Sequence, residues 1–217
     1  MGCLFRKHIF YGWWIAASAF MSMSVCGAIG VYAFSLFVKP LEDSFHWTRA
    51  EIMLAFAVWS MASGISAPFV GRLVDRFGPV KAIIAGALIA GVSCLALGYA
   101  GQLWQFYVAY ALLGVSAATT GSVPLSAMVS NWFVKHRGLA IGIMSAGIGV
   151  GGMVFSPFFG GLTIPALGWR PTYHIAGAVV VAVLVPLAML VMKTRPSGMG
   201  LSPYGGEDGI PAPVIRR

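Results

Sequence analysis

Tyr32, in the first long apolar stretch of this sequence, and Tyr107, Tyr110, Thr119, Thr120 and Ser122, in the fourth, are candidate polar contacts at depth. A hydroxyl there can donate to a carboxylate or carbonyl without carrying a charge into apolar surroundings. Tyr32, Tyr110, Thr119, Thr120 and Ser122 are therefore the expected substrate-binding residues. Tyr107 stands near the edge of its stretch, where an interfacial anchor is the simpler role. Ser116, in Gly114-Val115-Ser116-Ala117, and His174 are the candidate nucleophile and base. Ser116 lies twelve residues past Trp104, about 18 Å at 1.5 Å per helical residue, and His174 only four past Arg170, about 6 Å. A nucleophile and its base must reach hydrogen-bond distance, so no enzymatic activity is expected. Cys3, Cys26 and Cys94 lack metal-ligand spacing, and neither a metal nor a cofactor is implied.

The elements that hold these residues are dictated by composition. Of 217 residues, 59% are hydrophobic and 9% charged; the mean hydropathy is +0.85. A soluble domain carries about 25% charged residues, so a lipid bilayer is the expected partner of this surface. The net charge of +8 comes without a basic patch interleaved with aromatics, which excludes nucleic acid. Arg6 and Lys7 precede the first apolar stretch, but that stretch runs on to Phe37, too long for a cleaved leader.

Helices are expected at 11–38, 50–70, 82–100, 104–130, 139–163 and 172–192. Each has at least about 19 residues, enough for about 30 Å of hydrocarbon. The first and fourth are longer and must tilt or bend, with Pro124 the candidate bend in the fourth. Residues 1–10 are expected as a cytoplasmic N-terminus, 11–192 as the six-helix bundle, and 193–217 as a flexible cytoplasmic tail leading into no seventh span. Arg6, Lys7, Arg72, Arg76, Lys81, Lys135, Arg137, Lys193, Arg195, Arg216 and Arg217 would share one side, against Lys39, Arg49 and Arg170 on the other. That asymmetry puts both termini in the cytoplasm. No charged residue lies deep in any span.

The chain also repeats itself. Ala67-Pro68-Phe69-Val70-Gly71-Arg72-Leu73 matches Ser156-Pro157-Phe158-Phe159-Gly160-Gly161-Leu162 at an offset of 89 residues. Gly78 answers to Gly168 and Gly86 to Gly177, with one or two residues slipped. An odd number of helices separates the two copies, so they cross in opposite directions: a three-plus-three inverted repeat. Gly114, Ala118, Ser122 and Ser126 form a small-residue stripe, expected as a packing seam on the fourth helix.

Gly71-Arg72-Leu73-Val74-Asp75-Arg76-Phe77-Gly78-Pro79-Val80-Lys81 resembles the signature loop of the major facilitator superfamily between its second and third helices, matching at Gly71, Leu73, Asp75, Arg76 and Gly78. The terminal basic pair is reduced to Lys81. The resemblance implies a gating latch of Gly71, Asp75, Arg76, Gly78 and Lys81, with Asp75 near a helix N-terminus and Arg76 paired with an acid or a helix C-terminus. Gly147 with Ser156–Gly161 is similar to the superfamily's fifth-helix glycine motif, and close packing accounts for it. Phe10–Trp14, Asn131–Phe133 with Arg137–Ala140, Gly168–Arg170, and Arg195-Pro196 with Met199–Pro203 are together similar to the oxalate/formate antiporter and monocarboxylate transporter branch. The chain thus resembles the N-terminal half of such a transporter, an all-α membrane protein. The resemblance implies transport of a small organic anion, a monocarboxylate or dicarboxylate, by alternating access, with exchange or proton coupling, in the plasma (inner) membrane. Many proton-coupled members have an Arg where this chain has Tyr110. Rhomboid proteases also have six helices, but Ala117 replaces their second motif glycine. With no cation in its spans, the chain is expected to need a second six-helix half or a second copy, or else to take a substrate that is not an anion. The rival reading is a non-transporting six-helix protein acting as an assembly partner.

Overall fold

A computed structural model describes residues 10–194 together with Pro196 and Tyr204. Expectations for residues 1–9, Cys3, Arg6 and Lys7 among them, and for Arg195, Met199–Pro203, Arg216 and Arg217 lie outside the described residues. Among the described residues six helices are long and apolar enough to cross a bilayer: α1 Tyr11–Phe45, α2 Arg49–Phe77, α3 Pro79–Tyr99, α4 Leu103–Trp132, α5 Arg137–Leu167 and α6 Trp169–Leu190. All six expected spans are present, several with later ends. Apolarity marks the thickness of hydrocarbon to be crossed, whereas backbone hydrogen bonding carries α1 on through its polar end to Phe45 and α2 through Arg72, Asp75 and Arg76 to Phe77.

Local chemistry sets the ends. His46 closes α1 in the left-handed region at φ 55°. Thr48 opens α2 with a reciprocal cap: Thr48 Oγ1 accepts from the Glu51 N–H, and Glu51 Oε2 from the Thr48 N–H at 2.8 Å. Gln102 and Gln105 form a similar pair at the start of α4. Gly78 (φ 86°, ψ 156°) and Gly168 (φ 85°, ψ 173°) each turn the chain in one residue from one helix into the next. Only glycine holds that backbone without strain. The two glycines occupy matching places in the repeat, and they turn alike.

Among the described residues three helices lose regular geometry inside their spans, α5 in a π-helical turn at Phe158–Thr163 near its end. α1 widens into a π-helical turn at Ala28–Tyr32. α4 breaks at Gly121 (φ −84°, ψ −151°), between Thr120 and Ser122. The bend expected at Pro124 therefore lies three residues earlier. Pro124 has no N–H to bond the Thr120 carbonyl, and the preceding turn yields at its glycine. Gly121 follows Tyr32, the last residue of the π turn, by 89 residues, the offset of the repeat.

Packing repeats the same symmetry. α1 packs along α5, α2 along α4, and α3 along α6, with α3 also against α4. Exchanging the two triplets turns the first pair into the second and leaves the third unchanged. Glycines make the approaches close. A Cβ added to Gly27 would lie 3.0 Å from Cα of Ile148, and one at Gly114 would press on the Trp59 carbonyl oxygen. The offsets are 87 residues from Gly27 to Gly114 and 89 from Trp59 to Ile148. The fifth-helix motif works in the same way: Gly147 faces the Phe20 carbonyl and Gly151 that of Ser24.

By six crossings, the start of α1 and the end of α6 lie on one side, the termini side. Arg72, Arg76, Lys81, Lys135, Arg137 and Lys193 fall there, and Lys39, Arg49 and Arg170 opposite.

Candidate functional site

The irregular turns of α1 and α4 sit at the centre of the bundle and shape what lies between them. Cys26, Ile29 and Gly30 of α1, Trp59 of α2, Ala90 of α3, Leu113, Ser116, Ala117 and Thr120 of α4, and Val180 of α6 line a narrow cleft; with its open side included it holds about 290 Å³. Its lining is largely apolar, and it contains no charged side chain.

The polar groups in it are mostly committed to one another. Ser116 Oγ donates to the Gly86 carbonyl of α3 at 2.9 Å. Thr119 and Thr120 both donate to the Ser116 carbonyl at 2.8 Å, and Cys26 Sγ donates to Thr120 Oγ1 at 3.3 Å. Gly86 allows this crowding, since a side chain there would strike Thr119 and Thr120. The exception is Trp59. Its indole N–H is buried with no acceptor among the described residues, against Gly30 of the π turn. An unsatisfied buried donor costs about 1–3 kcal/mol, so Trp59 has a hydrogen bond to offer.

The five expected substrate residues are not assembled into one site. Thr120 lines the cleft; Thr119 is buried beside it against α3. Tyr110 is buried away from the cleft, its hydroxyl 2.8 Å from that of Tyr173 on α6. Phe34 meets its ring edge-on at 5.5 Å, and Phe37 stacks on Tyr173 at 3.9 Å. Tyr32 is 39% exposed and lies across Gly152 of α5. Ser122 is exposed just past the break. The small-residue stripe is correspondingly divided. Gly114 packs on α2, and Ala118 joins Val70, Val74 and Ala82 in a small buried cluster; beyond Gly121 the register is lost. Trp59, Gly30 and Cys26 were not foreseen as site residues. Only Cys26, a thiol in an apolar stretch, carried any signal of its own. Ser116 and His174 keep separate partners, since His174 lies against Gly98 and Tyr99 on the side away from the termini.

The gating residues form a helix end rather than a loop. Helix α2 continues through Gly71, Asp75 and Arg76, leaving Gly78 as the turn. This corrects the expected loop, because the polar residues of the motif occupy the final turns of α2 without breaking its hydrogen bonds. Arg76 suits the carbonyl end of its own helix and lies over the Phe77 ring at 5.2 Å. Asp75 and Lys81 are exposed. Asp75 stands in the last turn of α2, one turn before α3 begins at Pro79. At Gly71 an added Cβ would meet nothing within 4 Å, and the same holds at Gly64 on α2 and at Gly142 and Gly149 on α5. Both helices thus present glycine surface that no part of the described chain covers.

Comparison with known proteins adds the family. A profile described as Major Facilitator Superfamily matches residues 12–216. A Bacillus subtilis protein named as an uncharacterized MFS-type transporter, YcxA, is 33% identical over 165 residues, covering 76% of this chain and 40% of that protein. Proteins named multidrug resistance protein MdtG are 34% identical in Proteus mirabilis, over 151 residues, and 35% identical in Yersinia enterocolitica, over 157; each comparison covers 69% of this chain and 36% of the relative. The chain therefore spans less than half the length of the curated relatives it matches.

Proposed function

The chain belongs to the major facilitator superfamily, a family of multi-pass membrane transporters and not of enzymes, and on that premise we propose that it is one half of a solute transporter working by alternating access, with its solute contacts at the broken centres of α1 and α4. The observation that carries this reading is the paired irregularity itself. Two helices related by the repeat lose regular hydrogen bonding at equivalent positions, Ala28–Tyr32 and Gly121. Irregular backbone inside a bilayer is tolerated only where protein or a cavity takes up its polar groups.

A small organic anion, a monocarboxylate or dicarboxylate moved by exchange or proton coupling, fits the resemblance to the carboxylate-transporting branch and the free Trp59 donor. Thr120 lines the same cleft as that donor, and Thr119, Tyr32, Tyr110 and Ser122 remain the further candidates. An anion held only by neutral donors would keep most of its desolvation cost. The cationic partner then comes from a second six-helix half, or from a second copy, seated on the open glycine faces of α2 and α5. Normal anion affinity in the purified 217-residue chain alone would undo that requirement. A different substrate class has its own support: the cleft is mostly apolar, and two relatives carry the name multidrug resistance protein. On that reading the solute is an apolar organic molecule and needs no cation.

Gly71, Asp75, Arg76, Gly78 and Lys81 are proposed as the latch on the termini side, where the uncovered Gly71 would admit a close-packed neighbour. The basic bias of that side supports cytoplasmic termini in the plasma (inner) membrane; reporter fusions at each terminus check it. Transport is tested in vesicles, with the chain alone and with a supplied second half. Lactate, succinate and the lipophilic cation tetraphenylphosphonium serve as solutes. Saturable carboxylate uptake supports the first substrate class and tetraphenylphosphonium movement the second. No movement of any solute under either condition would leave the non-transporting assembly partner as the better account.

A further inference from the structure

Three stretches that the transport reading leaves unused meet on the termini side: the start of α1, the link between α4 and α5, and the chain that leaves α6. Their contacts form two groups. In the first, backbone carbonyls after α6 are taken up by side chains of the other stretches. Tyr11 Oη donates to the Val191 carbonyl at 2.8 Å, Trp132 Nε1 to that of Lys193 at 2.8 Å, and Asn131 Nδ2 to that of Thr194 at 3.0 Å. Thr194 also borders the α2–α3 turn, where a Cβ on Gly78 would lie 3.5 Å from its Oγ1.

The second group centres on Tyr204. Its N–H donates to the Trp132 carbonyl at 2.9 Å, and its carbonyl accepts from the N–H groups of Val134 and Lys135 at 3.1 and 3.0 Å. Its ring lies 5.3 Å from that of Phe10, 6.0 Å from Phe133 and 6.1 Å from His136. Trp132 and Phe133 are fully buried beneath. A chain that merely departs from a bundle satisfies its backbone with water. Here one residue pairs its N–H and its carbonyl as an added strand would, and packs its ring as well.

We propose that the described residues after α6, Val191–Thr194 and Tyr204, act as a strap, keyed by Tyr204, that fastens the six helix ends of the termini side into one body. It reaches the start of α1 through Phe10 and Tyr11, the α2–α3 turn through Gly78, and the α4–α5 link through Asn131–Lys135. A pull on the chain beyond Tyr204 then arrives at the α4–α5 link rather than at the end of α6. None of this depends on what the protein transports.

Hydrogen–deuterium exchange on the full chain in lipid nanodiscs tests it. The Val134, Lys135 and Tyr204 amides are expected to exchange at least tenfold more slowly than in a free peptide. Tyr204→Ala removes most of that protection while amides within α3 stay protected, which shows that the bundle is intact. Tyr204→Phe keeps the protection, since the hydroxyl is not what holds the ring. Trp132→Phe, which loses only the donor to Lys193, loosens the chain next to α6 and leaves residue 204 protected. Free-peptide exchange at Val134 and Lys135 in the unaltered protein would overturn the proposal. So would unchanged protection in Tyr204→Ala, or a loss at residue 204 in Trp132→Phe as large as that next to α6.

Discussion

Two glycines on one helix, two residues apart, should respond to the same methyl group in opposite directions. Gly151 and Gly149 both lie in α5. A Cβ on Gly151 would press on the carbonyl oxygen of Ser24 in α1 and lie 2.6 Å from its carbonyl carbon and 2.7 Å from its Cα. These are backbone atoms of a packed helix, and no rotamer change relieves the contact. A Cβ on Gly149 would meet nothing within 4 Å among the described residues. Replacing helical Gly by Ala gains about 1 kcal/mol from backbone entropy, and both variants share that gain. Overpacking costs about 1–3 kcal/mol, the upper end where the neighbours cannot move. Gly151→Ala is thus expected to lose about 2 kcal/mol net and Gly149→Ala to gain up to about 1 kcal/mol. At about 2–4 °C per kcal/mol for a chain of this size, the melting temperature falls by roughly 4–8 °C in the first and rises by roughly 2–4 °C in the second. Thermal unfolding in detergent, followed by loss of the monodisperse peak, measures both. Equal shifts in the two variants would refute the claim that α1 and α5 meet backbone to backbone.

The Tyr110–Tyr173 hydroxyl pair is buried and 2.8 Å apart. Tyr110→Phe or Tyr173→Phe alone should therefore cost about 1–3 kcal/mol by orphaning the other hydroxyl, while the double variant costs clearly less than their sum; a double-mutant cycle by thermal unfolding checks it. Gly78→Ala should cost about 1–3 kcal/mol for its backbone at φ 86° and ψ 156°, and Gly71→Ala, in open space, should lower stability not at all. The same unfolding assay compares them. Trp59→Phe removes a donor that has no acceptor among the described residues and should leave stability equal or slightly higher, whereas Trp59→Ala, at a partly buried site, should lower it by about 1–3 kcal/mol through lost packing. Any solute that accepts from Trp59 should bind less tightly to the Phe variant, as read by equilibrium binding.

What the sequence made legible was whatever leaves a linear trace. Six apolar stretches announce six crossings, and Pro, Phe, Gly and Leu recurring 89 residues apart announce the inverted repeat before any contact is known. The helix ends were harder, because Arg72, Asp75 and Arg76 are polar and still helical. The binding side chains were hardest. Tyr110 and Trp59 both lie in apolar stretches, and hydroxyl chemistry alone favours Tyr110. Its hydroxyl is engaged by Tyr173, 63 residues away, while the Trp59 indole has no acceptor among the described residues. Which polar group is free depends on partners from distant helices, and no local pattern reports that.

The glycines divide the molecule into a part that is interlocked and a part that is open. Gly27, Gly86, Gly91, Gly114, Gly147, Gly151 and Gly177 each face atoms of a neighbouring helix too closely for a side chain. Shear between α1 and α5, α2 and α4, or α3 and α6 would drive those backbones into collision or open voids, and packed interfaces of this kind switch between arrangements rather than deform smoothly. Gly64 and Gly71 on α2, and Gly142 and Gly149 on α5, face nothing within 4 Å among the described residues. Each pair is seven residues apart, close to two helical turns, so each marks one stripe. The same residue type thus locks the inside of the bundle and leaves two outer stripes bare. If the proposed alternation occurs, it moves this bundle as a unit against whatever covers those stripes, and the irregular centres of α1 and α4 travel with it. Bulky residues at Gly71 and Gly149 would then impair transport without unfolding the chain, whereas the same residues at Gly114 and Gly151 would unfold it first.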